Sequence, residues 1–188
     1  MEKKVILNIE SVYTANAFQV GSEFFIGAGS ETKPEVYMYN IASGESSFLE
    51  GCPGGVMSFI PLPEREDTFF SIMGLFPPFI GAEAGVFMHQ KSETKWTTKK
   101  VMDLPFAHRC EIIHESKVNY LFAASVSKHK NDPPDWSKKG EVYVARVEND
   151  FQLPLKWEKI DDTVSRNHGM IRATVNGQER VCISGAEG

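Results

Sequence analysis

One strand pattern occurs three times, as Glu35-Val36-Tyr37-Met38-Tyr39, Gly85-Val86-Phe87-Met88-His89 and Glu141-Val142-Tyr143-Val144-Ala145. Short runs rich in valine and aromatic residues are typical of β-strands. The valines of the three runs lie 50 and then 56 residues apart. Recurrence at such a spacing predicts a structural unit that repeats along the chain.

The order of strands around these runs repeats as well. An apolar strand ending in small residues precedes each run, and a polar strand that twice begins with tryptophan follows it. Asn176-Gly177 predicts a type I′ hairpin, because both central residues of that turn take positive φ. The preceding strands are at residues 24–28, 69–74 and 120–124, with a fourth copy at 181–185, and the tryptophans are Trp96 and Trp157.

Four short antiparallel strands repeating about every fifty residues indicate an all-β fold, and we predict a β-propeller of four-stranded blades. A β-sandwich is the alternative, although it does not require matched strand order at a fixed period. The chain of 188 residues is predicted to be one domain, with units at about 10–55, 56–108, 109–168 and an incomplete 169–188. About 3.5 blades make an unfinished ring, so we expect either a truncated protein or completion by another chain, such as a second copy.

Composition limits the classes of partner. The chain is 41% hydrophobic and 24% charged, with a net charge of -5, which favours a soluble globule and argues against nucleic-acid or anionic-membrane partners. No signal-peptide core and no membrane-spanning apolar run is found in the sequence. Three widely spaced cysteines without a C-x-x-C pair indicate reduced thiols and a cytoplasmic protein.

Two histidines occupy matching places in the loops that join one unit to the next. His108 and His168 stand where the preceding unit has Gly54 and Gly55. In a propeller these loops lead onto the innermost strands, so we expect both imidazoles to face the central axis. Converging neutral imidazoles suit a divalent metal ion, with Glu187 as the best third ligand. The alternative is that both histidines bond to backbone carbonyls in their turns.

Further polar and aromatic residues cluster in the same loops. Arg109 could bind a carboxylate or phosphate of a ligand, or pair with a carboxylate of a neighbouring blade. In the long connection 125–140, Trp136 could stack on a sugar ring with Asp135 accepting hydroxyl hydrogen bonds, or it could anchor its own loop. The loop 75–81 carries two phenylalanines that either line the same mouth or form a packed lid.

A resemblance rests on four short motifs, His108-Arg109, Asp135-Trp136-Ser137, Asn167-His168-Gly169 and Ala186-Glu187-Gly188. At these positions the chain resembles a family of bacterial β-propeller proteins similar to the propeller part of fungal aldos-2-ulose dehydratase. The resemblance implies metal-assisted elimination or isomerisation of a sugar-like carbonyl compound. It implies that the histidines hold the ion near the axis. We predict Asp135, Trp136 and Asn167 as the substrate-binding residues.

Two functional hypotheses follow. In the first, the chain is a metal-dependent lyase or isomerase in which His108, His168 and Glu187 bind the ion, Glu187 binds it or moves a proton, and Arg109 steadies negative charge. In the second, a non-catalytic propeller binds a protein or carbohydrate partner through the same loops. The expected small-molecule ligand is sugar-like.

Overall fold

The computed structural model describes residues 3–92, 95–148 and 150–186. Within these ranges the chain forms fourteen β-strands and no helix, so the predicted all-β class is confirmed. The strands are β1 Val12–Val20, β2 Glu23–Ser30, β3 Val36–Asn40, β4 Ser46–Phe48, β5 Ser58–Pro61, β6 Thr68–Met73, β7 Gly85–Lys91, β8 Trp96–Asp103, β9 Ala107–Glu115, β10 Val118–Ser125, β11 Val142–Val147, β12 Trp157–Asp161, β13 Gly169–Val175 and β14 Gln178–Ser184.

Strands that follow one another in the chain pair with one another. Three four-stranded antiparallel sheets form in this way, β1–β4, β5–β8 and β9–β12, followed by the two-stranded hairpin β13–β14. We call them the first, second and third sheets and the hairpin. Every connection within a sheet joins neighbouring strands, so each sheet is built from a single continuous stretch of chain.

The second sheet is covered on both faces. All six residues of β6 are buried, and successive side chains of a strand point to opposite faces of its sheet. Phe69 and Met73 belong to an apolar cluster shared with the first sheet. Phe70 and Ile72 belong to a cluster shared with the third sheet. The continuous burial of β6 therefore reflects two stacked neighbours.

The first strands of the successive units contact one another in turn. β1 contacts β5, β5 contacts β9, and β9 contacts β13. The start of β9, which carries His108, and the segment just before β13, which carries His168, therefore reach one common region of the molecule.

The hairpin turn matches its prediction. Asn176 has φ 52° and Gly177 has φ 76°, and they join β13 to β14 as expected for two central residues of positive φ. The hairpin is thinly covered, since Ile171 and Val175 are exposed. Among the described residues, no helix has the length and apolar character needed to cross a membrane.

Candidate functional site

The structure brings His108 and His168 together. His108 is the second residue of β9, and His168 directly precedes β13. Their ring centroids lie 4.5 Å apart, with the ring planes tilted by 58°. In the equivalent loop before β5, the two glycine positions have no room for a side chain, because a Cβ at Gly54 would lie 2.2 Å from the Lys33 carbonyl oxygen and one at Gly55 would lie 2.7 Å from that of Leu75.

His108 is buried with only 1% of its surface exposed. The Tyr13 hydroxyl lies 3.3 Å from its Nε2 atom, whereas its Nδ1 atom is buried without a hydrogen-bond partner among the described residues. Burial lowers the pKa of His108 to about 3, and the charges of Arg109 and His168 act in the same direction. The imidazole is therefore neutral at pH 7, with one nitrogen uncommitted.

His168 is the more accessible of the pair. Partial burial lowers its pKa, and the charge of Arg109 adds to that shift. Its ring also contacts Phe79, at 5.9 Å between centroids in an edge-to-face arrangement. Two neutral imidazoles thus lie side by side. That of His108 is buried, and that of His168 is exposed.

Arg109 ties neighbouring units together. Its Nε donates a hydrogen bond to the His168 carbonyl oxygen at 3.0 Å, and its Nη1 donates to the Met57 carbonyl oxygen at 2.9 Å. The guanidinium carbon also lies 5.8 Å from the centroid of the Tyr13 ring. Arg109 thus binds backbone carbonyls of the neighbouring units, an arrangement that sequence reasoning did not consider.

Two cavities share His168 as a lining residue. The smaller, of about 280 Å³, is lined mainly by apolar and aromatic side chains; the larger, of about 530 Å³, runs along the first strands of the units and is more polar. Both histidines line the smaller cavity, and His168 lines both. Tyr13, Glu31, Met57, Leu75, Phe76, Pro77, Pro78 and Phe79 complete the smaller cavity.

Trp136 lies in a cluster of rings and cations. Its ring meets Phe79 edge-to-face at 4.9 Å, the Lys130 Nζ lies 3.2 Å from its centroid, and the Arg166 guanidinium carbon lies 4.8 Å from it. Cations held over an aromatic ring occupy the surface on which a sugar would stack. Sugar stacking on the ring face that Lys130 covers therefore requires that side chain to move. Trp136 also packs against the apolar core cluster.

Lys130 is an unusual member of this cluster. Its side chain is buried, and its Nζ has no hydrogen-bond partner in the part of the chain that the structure describes. Burial lowers the pKa of Lys130, the charge of Arg166 lowers it further, and the charges of Asp135 and Asp132 oppose the shift. The aromatic rings thus form the immediate surroundings of a largely desolvated ammonium.

Asp135 uses both carboxylate oxygens within its own loop. The backbone amide of Ser137 donates to Oδ1, and the backbone and side-chain amides of Asn131 donate to Oδ2. These bonds, led by that from Ser137, hold the pKa of Asp135 well below its usual range. The carboxylate stabilises the loop that presents Trp136.

The remaining expected site residues are Asn167 and Glu187. The side chain of Asn167 is fully buried, and neither amide atom has a partner among the described residues. Glu187 lies outside the described residues. Within 3–92, 95–148 and 150–186, no group of three or more His, Cys, Asp and Glu side chains is arranged to hold a metal ion.

Sequence reasoning missed Tyr13 and Lys130. Tyr13 is the second residue of β1, as His108 is the second residue of β9, so continuing the repeat alignment back to the first unit would have found it. Lys130 had no such signal, because its burial depends on contacts with Phe79 and Trp136.

No family model matches the chain, and no curated protein matches it either.

Proposed function

We propose that the chain is a β-propeller whose sheets are blades stacked around a central axis. Three four-stranded meanders in chain order support this fold. The successive contacts among first strands and the covering of the second sheet on both faces are also what a ring of blades requires, since each blade buries its faces on its neighbours. The hairpin β13–β14 is then the inner part of a fourth blade.

We further propose that His108 and His168 are two ligands of a divalent metal ion at the mouth of this axis. The observation that carries the proposal is the pair of neutral imidazoles from consecutive units, 4.5 Å apart. Ligating nitrogens lie about 2.0–2.1 Å from a zinc ion, so the side chains of two ligands must be this close. The separation of the two rings supports their assignment as two ligands of one ion, and we propose Glu187 as the third.

The surroundings of His108 suit this role. A ligating histidine usually makes a hydrogen bond through its other ring nitrogen, which fixes the tautomer. When Nε2 of His108 carries the ring proton and donates it to the Tyr13 hydroxyl oxygen, the unpartnered Nδ1 is the nitrogen with a free lone pair. Tyr13 is then a positioning residue for the ion site.

The proposed reaction class is elimination or isomerisation of a sugar-like carbonyl compound. A bound divalent ion would supply Lewis-acid polarisation of a carbonyl or hydroxyl oxygen. In the chain itself, Tyr13 lines the smaller cavity beside both histidines, and its hydroxyl oxygen lies 3.3 Å from Nε2 of His108 and accepts the hydrogen bond that orients the ring. Arg109 holds the His168 backbone in place through its carbonyl oxygen.

Metal content of the purified protein tests the ion site. We expect about one divalent ion per chain, retained in His129→Ala and lost in His108→Ala and His168→Ala. His129 is an exposed histidine of the long loop and is the matched control. His168→Ala is the more informative variant, because that side chain is accessible and its removal leaves no internal cavity. A protein without bound ion, or equal ion content in all variants, would contradict the proposal.

A non-catalytic binding propeller is the second candidate. Ile80 is 57% exposed, and Pro77 and Pro78 beside it are also exposed on the loop that forms one wall of the smaller cavity. An exposed apolar ridge is typical of a contact surface for a protein partner. A stoichiometric protein partner that is lost with Ile80→Asp, in a protein that carries no metal ion, would favour this candidate.

A further inference from the structure

We infer that the ligand of this site has two chemically different parts, an apolar ring and a hydroxyl-rich portion joined next to His168, as in an aryl glycoside of a carbonyl-bearing sugar, for which simple aryl glycosides are binding probes. The inference deepens the proposed function and rests on its assignment of the ligand site to the mouth of the axis. It is carried by the two cavities that share His168 as a lining residue and by the contrast between their walls.

The smaller cavity suits a single ring. Its volume is about 280 Å³, slightly below the range of about 300–1,000 Å³ for sites that take drug-sized ligands. One wall is made by Phe76, Pro77, Pro78 and Phe79 of the β6–β7 loop. An apolar wall of this kind gains most from a ligand group that releases water from it.

The larger cavity suits hydroxyl groups. Its volume is about 530 Å³, and its polar lining includes Thr14, Asn16, Arg109, Glu111 and Ser184. Both carboxylate oxygens of Glu111 are held by backbone amides, those of Ile112 and Arg172, which fixes their direction. Each oxygen keeps a second lone pair, so Glu111 can still accept a hydrogen bond from a ligand hydroxyl.

A ligand of one chemistry would match only one of these cavities. A wholly polar ligand would leave the phenylalanine and proline wall in contact with water. A wholly apolar ligand would remove water from hydroxyl and carboxylate groups without replacing their hydrogen bonds. A ligand with both parts packs its ring against the apolar wall and makes hydrogen bonds to the polar wall. The bond that connects the two parts passes His168, the side chain common to the two cavities.

Calorimetric binding with matched probes tests the inference. The probes are 4-nitrophenyl and methyl glycosides of glucose and galactose, each as both anomers, together with free 4-nitrophenol. We expect at least one 4-nitrophenyl glycoside to bind about tenfold or more tightly than both its methyl counterpart and 4-nitrophenol, because only it fills both cavities.

Three variants test which cavity binds the ring of the ligand and which binds its hydroxyl-rich portion. Phe76→Ala removes a ring from the apolar wall and should weaken 4-nitrophenyl glycoside binding about tenfold while leaving the methyl glycoside unchanged. Ser184→Ala removes a hydroxyl from the polar cavity and should weaken both glycosides but not 4-nitrophenol. Phe48→Ala removes an exposed phenylalanine of the first sheet and should change none of them.

The experiment is run on the intact chain with and without a chelator. An aryl preference that persists with chelator supports the two-part ligand even if the metal proposal fails, because the cavities do not need the ion. Equal binding of aryl and methyl glycosides, binding of 4-nitrophenol alone, or no binding of any probe in either condition would overturn the inference.

Discussion

The second sheet and the hairpin β13–β14 are built from similar strands but are covered very differently. Every residue of β6 in the second sheet is buried, whereas Ile171 in the hairpin is 64% exposed. Strand pairing is present in both regions, so the difference comes from the neighbours that stack on their faces. The candidate site shows the same contrast in burial. His108 is buried in the third sheet, whereas His168 directly precedes the exposed hairpin.

Truncation of a buried isoleucine should show the contrast most strongly. Ile72→Ala in β6 should lower the free energy of unfolding by about 2–5 kcal/mol, since it opens a cavity in a packed cluster. Ile171→Ala in the hairpin is the matched control, and it should change that free energy by less than about 0.5 kcal/mol. Equal losses in denaturant unfolding would show that the hairpin is as well packed as the second sheet.

We expect Arg109 to make the most stabilising contact between the hairpin and the rest of the chain. Arg109→Met removes two charge-assisted bonds to backbone carbonyls, which should cost about 2–3 kcal/mol. Amide hydrogen exchange should accelerate in β13 and β14 more than in β10. Arg172→Met, which removes an exposed 3.9 Å ion pair with Glu179, is the control. Exchange that accelerates uniformly along the chain in both variants would contradict a local role of Arg109 in holding the hairpin.

The dependence of unfolding free energy on pH should report on the buried interior of the second sheet, because His89 lies there. This histidine bonds Ser71 and Thr98, and burial lowers its pKa from 6.5 to about 3. The unfolded chain binds a proton more readily than the folded one between these values, so stability falls as pH falls through that window.

His89→Gln should remove this contribution. The slope of unfolding free energy against pH should decrease by about 1.4 kcal/mol per pH unit relative to the unsubstituted protein. Unfolding curves collected at several pH values between 6.5 and 3 measure the two slopes. Parallel slopes would mean that His89 is protonated in the folded protein.

Lys130→Met should have the smallest effect. The substitution removes a buried ammonium that makes no hydrogen bond within the described residues, and it also loses a cation–π contact of about 0.5–2 kcal/mol. The two effects oppose each other, so the free energy of unfolding should stay within about 1 kcal/mol of the original. A loss well above that in thermal or denaturant unfolding would show that the ammonium has a strong partner.

The strand order was largely predictable from the sequence. The three valine-containing runs correspond to β3, β7 and β11, and the two tryptophans begin β8 and β12. Period and turn residues suffice here because each strand pairs with its neighbour in the chain. The short strand β4 is fully exposed and contains two serines, so it carries no apolar pattern that could have marked it.

The candidate site was predictable only where the repeat itself supplied the information. His108 and His168 meet because equivalent loops of consecutive units reach one region. The role of Arg109 depends on which carbonyls lie near its guanidinium, and that of Asp135 on the fold of its own loop. Such contacts follow from the final arrangement of the chain, and residue type alone does not specify them.

The outer edge of β14 has a practical consequence. In the part of the chain that the structure describes, β14 pairs only with β13, so its other side offers amide and carbonyl groups to any extended peptide. In concentrated solution an intermolecular strand can add at this edge. Glu179 and Arg180 lie on β14, and charged side chains on such an edge discourage indiscriminate joining of copies.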